Sequence, residues 1–139
     1  MNKILLDTDI FSEIRKGIDG RVVSRAGAYR HVFGFYTISI MTVTEVVKGW
    51  QKRQREDRVQ EFLTEIANVE VLPIDNSIGE LAGRICGDLE RTGQPIGLAD
   101  SIIAATAIHQ DLILITGNLS HYQRIQGLGY SLKLDNWRN

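Results

Sequence analysis

Three carboxylates and an amide, far apart along a chain of 139 residues, are the side chains best equipped for chemistry: Asp7, Glu45, Asp100 and Asn118. They occur in Leu6-Asp7-Thr8-Asp9, Thr44-Glu45-Val46, Ala99-Asp100-Ser101 and Thr116-Gly117-Asn118, and none of these motifs holds a lysine or arginine. Acids gathered without a cation repel one another, so a shared metal ion is the natural compensation. Hard oxygen ligands suit Mg²⁺ or Mn²⁺, whereas one cysteine (Cys86) and 3 histidines are too few for a zinc site. The chemistry open to such a set is metal-assisted attack of water on a phosphodiester.

Each residue also has a plainer reading. Asp7 could end a strand and cap the next helix, a role Asp9 fills at least as well. Glu45 alone would pass for a helix-surface carboxylate. Asp100 is the most telling, because its helix has almost no other polar side chains and a buried acid needs a partner. Asn118 equally suits a turn or a cap.

The elements that must position these groups follow from apolar spacing. Ile4-Leu5-Leu6 and Leu112-Ile113-Leu114-Ile115 are short continuous apolar runs, as in strands buried on both faces of a parallel sheet. Phe35–Ile40 and Val69–Leu72 read as further strands, and Ser131–Leu134 as a last edge strand. Helical spacing recurs at Ile10, Ile14 and Ile18 up to the breaker Gly17, then in a helix over Arg21–His31, then at Val43, Val46, Val47 and Trp50, then at Val59, Phe62, Leu63 and Ile66. The clearest stripe is Ile78, Leu81, Ala82, Ile85, Cys86 and Leu89 before Gly93, expected to be core or core shared with a dimer interface. Leu98–Ile108 is apolar almost all round and should be sandwiched. Strands alternating with helices give an α/β/α sandwich on a mainly parallel sheet of about five strands, formed by residues 1–139 as a single domain. Sites in such sheets lie beyond the carboxyl ends of the strands, where strand order reverses. Those ends fall just after Leu6, Ile40 and Ile115.

With 43% hydrophobic and 24% charged residues the chain is an ordinary globular one, neither disordered nor fibrous. Its net charge of −1 argues against coating nucleic acid by bulk charge. Cys86 alone fits a reducing compartment, and the absence of any apolar run long enough for a signal peptide or membrane span makes a cytoplasmic protein the expectation.

In order and spacing the chain resembles PIN-domain ribonucleases, in particular the VapC-type toxins of bacterial toxin–antitoxin pairs. The likeness rests on Ile4-Leu5-Leu6-Asp7-Thr8-Asp9, Ile38-Ser39-Ile40 with Thr44-Glu45-Val46, Gly93-Gln94-Pro95-Ile96-Gly97, Leu98 through Ala105, and Leu114-Ile115-Thr116-Gly117-Asn118. The resemblance implies that Asp7, Glu45 and Asp100 bind Mg²⁺ or Mn²⁺ and that the protein cleaves RNA, tRNA or rRNA. It places Thr8 and Thr116 as hydroxyls near the acids and Asn118 at a position that is acidic or amide in relatives. It also implies a homodimer, and an antitoxin that lays a helix in a groove and pushes a basic side chain among the acids. Many PIN domains carry a fourth acid after the last buried strand. Here Asn118 and His121 stand in that region, neither anionic, which opens a one-metal mechanism with His121 orienting phosphate.

RNA beside an acidic site needs positive charge nearby. Lys48, Lys52, Arg53, Arg55 and Arg58 follow Glu45, and Arg15, Lys16, Arg21, Arg25 and Arg30 follow Asp7. Of these, Arg15, Lys48 and Lys52 are the candidate phosphate contacts, against the plain alternative of a solvated helix face. Two other functions compete. A haloacid-dehalogenase-like phosphatase would explain Leu5 to Asp9 and Ile113 to Asn118, but the later lysine and acids it needs are out of order. A non-catalytic PIN-like module that grips RNA or protein would have no need of the acids at all three strand ends.

Overall fold

Strand β1 (Ile4–Leu6) is buried end to end and forms the centre of the sheet in a computed structural model that describes residues 1–139. Its neighbours are β2 (Thr37–Ser39) and β4 (Ile113–Ile115), with β3 (Glu70–Leu72) and β5 (Lys133–Asp135) at the edges. The order is β3-β2-β1-β4-β5, and every pairing is parallel. The mainly parallel sheet expected from the sequence is thus wholly parallel.

Alternation along β1 divides the interior in two. Leu5 faces a core with α5 (Asn76–Arg91), α6 (Leu98–His109) and α7 (Leu119–Gly127). Ile4 and Leu6 face a second core with α1 (Thr8–Lys16), α2 (Gly20–Phe33), α3 (Ile40–Lys52) and α4 (Glu56–Glu65). The result is the predicted α/β/α sandwich. Helix α6 lies between α5 and the sheet, which explains its apolar circumference: Ile103, Ala104, Ala105 and Ala107 are fully buried. Ser101 and Thr106 are buried there too, each satisfied by donating to a carbonyl one turn back, Gly97 O and Ile102 O.

Caps account for most boundary differences from the sequence reading. The second strand stops at Ser39 rather than Ile40, because the Ser39 hydroxyl accepts from the Met41 N–H (3.0 Å) and starts α3. Leu112 leaves β4 because its N–H closes α6 onto Ala107 O (2.8 Å). Gly17 ends α1 at φ 68°, a left-handed conformation that favours glycine. Two apolar residues are misplaced by periodicity alone: Ile18 lies beyond the end of α1 and is 81% exposed, and Leu63 is 41% exposed while Val59 and Phe62 of its helix are core.

Ile85, at the heart of the α5 stripe, is fully buried. We expect Ile85→Ala to cost about 2–5 kcal/mol in chemical denaturation and Leu63→Ala no more than about 0.5 kcal/mol. Similar losses for the two would contradict this division of the core.

Candidate active site

Chain order moves to one side of β1 for β2 and β3 and to the other for β4 and β5, so β1 and β4 frame the reversal point of the sheet. Their register pairs Leu6 with Ile115, which sets Asp7 beside Thr116 immediately beyond the strands. The Thr116 hydroxyl donates to Asp7 Oδ2 at 2.8 Å, and the Thr8 N–H donates to Oδ1 at 2.9 Å. Asp7 therefore caps α1 and also lines the cavity beyond the strand ends.

The other predicted groups reach the same place from different elements. Glu45 projects from the second turn of α3, where the Thr8 hydroxyl donates to its Oε1 at 2.8 Å and shares a further 2.9 Å hydrogen bond with the Thr42 hydroxyl. Asp100 sits in the first turn of α6, and Asn118 forms the N-cap position of α7. Asp7, Thr8, Glu45, Asp100 and Asn118 line one cavity of about 310 Å³, with Asp9 and Ser12 completing a wall that has no apolar side chain. Thr116 lies behind Asp7 and also takes the Asn118 N–H at 3.0 Å, tying the loop after β4 to β1. His121 lies beside Asp100, its buried Nδ1 3.6 Å from Asp100 Oδ2.

The predicted cations divide. Arg15 lines a groove of about 670 Å³ that joins the cavity at Thr8, Ser12 and Glu45. Lys48 and Lys52 line neither the cavity nor the groove: both are exposed on the solvent flank of α3, and Arg53 and Arg58 occupy the groove instead.

Several participants escape a reading from the sequence. Asp9, expected only as a cap, accepts from the Ile10 N–H (2.7 Å) and, across the fold, from the Gly117 N–H (3.0 Å). Arg138, almost at the chain's end, comes within 3.6 Å of Asp9 and pairs with Glu13 at 2.6 Å. A Cβ at Gly117 would overlap the Arg138 guanidinium and come within 2.8 Å of Asp9 Oδ2, so both side-chain ends would have to shift to admit one. Tyr122 is fully buried and its hydroxyl has no hydrogen-bond partner. Burial first, and then the nearby charges of Asp7 and Asp100, push that phenol far above its ordinary range. Ser12, one turn beyond Thr8 on α1, could have been found from helical spacing. The Arg138 and Tyr122 contacts carry no local signal.

Electrostatics mark Asp7 as the strained member. Burial, reinforced by the charge of Asp9, raises its carboxyl to about 7 despite the opposing hydrogen bonds from Thr116 and Thr8. No lysine or arginine lines the cavity. A cation there would relieve both effects, and the donors are the hard oxygens that Mg²⁺ or Mn²⁺ accept. The acids are gathered without being closed up: no three His, Cys, Asp or Glu side chains form a ready-made ligand cluster. Mg²⁺ usually keeps several of its own waters, which can bridge to carboxylates at this looser spacing.

A raised carboxyl has a definite pH signature. In metal-free protein the folded state holds the Asp7 proton up to about pH 7, while the unfolded chain releases it near pH 4. The contribution is favourable below that window and is lost as pH rises through it. Asp7→Asn keeps a good N-cap residue and removes the titration. In EDTA, its melting temperature should exceed that of the wild type at pH 8, with the gain shrinking towards pH 5. A gain independent of pH would contradict the assignment of strain to Asp7.

Residues 4–126 match the family model for the PIN domain. The tRNA(fMet)-specific endonuclease VapC of Shigella flexneri is 30% identical over 132 residues, spanning 92% of this chain and 96% of that one. Ribonuclease VapC2 of Haemophilus influenzae is 28% identical with 99% of both chains covered. Among solved structures, DNA-bound VapBC from Salmonella typhimurium superposes with a TM-score of 0.80 at 27% identity over 99% of each chain. VapBC-1 from nontypeable Haemophilus influenzae does so with a TM-score of 0.79 at 26% identity over 98% of each. The wholly parallel sheet, the acids at its reversal point and these relatives agree, and the chain belongs to the PIN-domain family, among its VapC-type members.

Proposed function

We propose that this protein is a metal-dependent endoribonuclease, the toxin of a type II toxin–antitoxin pair, which hydrolyses phosphodiester bonds of tRNA or rRNA in the cytoplasm. The observation that carries this reading is the polar cavity in which Asp7, Glu45, Asp100 and Asn118 converge from four separate segments. The relatives named as a tRNA endonuclease and as ribonucleases support the substrate class. The VapBC relatives among solved structures support a partner antitoxin. The working form on this reading is a homodimer of single-domain chains, released from its antitoxin to act.

Mg²⁺ or Mn²⁺ would be held by Asp7, Glu45 and Asp100, and supplies Lewis-acid chemistry that strengthens water as a nucleophile and offsets charge on the phosphate. The chain's own residues do the rest. Thr116 and the Thr8 N–H fix both oxygens of Asp7, so its carboxylate needs no reorientation when substrate arrives. The Thr8 hydroxyl holds Glu45 across the cavity mouth. Asn118 offers a neutral amide where a fourth acid would add repulsion, and His121, beside Asp100, would donate a hydrogen bond to a phosphate oxygen.

The test is incubation of purified protein with a tRNA and rRNA pool in Mg²⁺, Mn²⁺ or EDTA, beside Asp100→Asn. Several kcal/mol of charge stabilisation, at tenfold per ~1.4 kcal/mol, puts the expected loss at about 100-fold or more. Discrete fragments should form only with metal and wild-type protein. Near wild-type cleavage by Asp100→Asn would contradict the reading, and binding of RNA without cleavage would favour a non-catalytic module.

A further inference from the structure

We propose that the groove between α1, α3 and α4 is a subsite for unpaired RNA, with the Trp50 indole and the Arg53 guanidinium receiving a base a few nucleotides from the scissile phosphate. The inference rests on the nuclease reading and adds to it the form of the substrate. Two parallel stripes define the groove. On α1 the stripe runs Thr8, Ser12, Arg15 and Lys16; on α3 it runs Glu45, Gly49, Trp50 and Arg53. Both begin at the acid cavity, where the Thr8 hydroxyl donates to Glu45, and both end in positive charge. Eight residues of helix carry each stripe about 12 Å, the length of a few nucleotides.

Charge and chemistry along the groove favour a nucleic-acid strand over a polypeptide helix. Only Val46 and Trp50 in its wall are apolar, which leaves little for the apolar face of a helix to bury. Arg15 is paired with Glu65, and Arg58 with Glu61, whereas Lys16 and Arg53 have no carboxylate partner and are free to meet phosphate. The Arg53 guanidinium lies 4.9 Å from the Trp50 ring centroid and that of Arg58 5.7 Å, both within cation–π range of the indole. Aromatic rings and guanidinium planes are the surfaces on which splayed bases stack, and stacking needs no base-specific hydrogen bond. Gly49, beside Trp50, adds no side chain to obstruct the approach. The strand entering this groove must therefore be single-stranded next to the cut.

Trp50 itself reports the test, because the other tryptophan, Trp137, is buried on the same side of the sheet. An unpaired RNA octamer is titrated in EDTA against wild type, Trp50→Phe, Trp50→Ala and Arg53→Glu, following indole fluorescence and, by anisotropy of a labelled octamer, affinity. Stacking predicts quenching in the wild type that is absent in Trp50→Phe, and affinity weakened roughly tenfold or more in Trp50→Ala. Arg53→Glu, a change at an exposed side chain, should weaken binding and flatten its salt dependence, and stays informative if Trp50→Ala destabilises the fold. A duplex of the same sequence should bind more weakly than the single strand.

Unquenched Trp50, with affinity unchanged in Trp50→Ala and Arg53→Glu, would overturn the subsite, whether or not RNA is cleaved in Mg²⁺. Quenching by RNA in a protein that never cleaves would support the groove and count against the nuclease reading alone. A Trp50 signal that answers to co-expressed antitoxin and not to RNA would assign the groove to protein and overturn the proposal.

Discussion

Burial of the Asp7 carboxyl beside other acids is the constraint around which this structure is organised. Asp7 lies beyond a strand that has no exposed residue, in contact with the charge of Asp9 and facing Asp100, and its proton is held to about pH 7 in consequence. A fold assembled only for stability would place an apolar or amide residue there. Instead the surroundings fix the carboxylate: a hydroxyl from the neighbouring strand end, an N–H from its own helix, and a lid of polar groups from α3, α6 and α7. The arrangement makes sense if a cation completes it, and the cost of keeping the acids close is met by the two cores on either side of β1.

The scaffold sets the spacing of the acids through elements that do not themselves flex. Short, largely buried strands fix Asp7 and Thr116 relative to each other by one register pair. Helix α6, wedged between α5 and the sheet, delivers Asp100 on its first turn, and the Ser39 cap starts α3 so that Glu45 faces the same point. The Asp9–Gly117 and Asp9–Arg138 contacts then draw the chain's last residues across the loop after β4, so the C-terminal segment becomes part of the support for the site.

How much of this could be read beforehand depends on whether the signal is local. Strand and helix positions were legible because apolar periodicity is local, and the strand-end rule then pointed to Asp7, Glu45, Asp100 and Asn118 together. What failed is equally physical. Lys48 and Lys52 follow Glu45 closely in sequence, but the groove lies on the flank of α3 carrying Gly49, Trp50 and Arg53, and which flank faces inward is decided by where α4 packs. Leu63 fits the helical stripe yet falls on the side that α4 turns to solvent. Arg138 meets Asp9, and Tyr122 comes to lie under Asp7 and Asp100, only because the chain closes on itself, and no pattern within a window reveals such contacts. Capping α1 does not take Asp7 out of the cavity, so the capping role and a place in the site do not exclude each other.

The central claim, that these acids are gathered for a divalent ion, is tested most directly by titrating Mn²⁺ into metal-free protein at pH 7.5 and counting bound ions by electron paramagnetic resonance, without RNA. The account predicts saturable binding to the wild type that is lost in Asp100→Asn and in Asp7→Asn while both variants remain folded. Binding that is absent in the wild type, or unchanged in both variants, would contradict it.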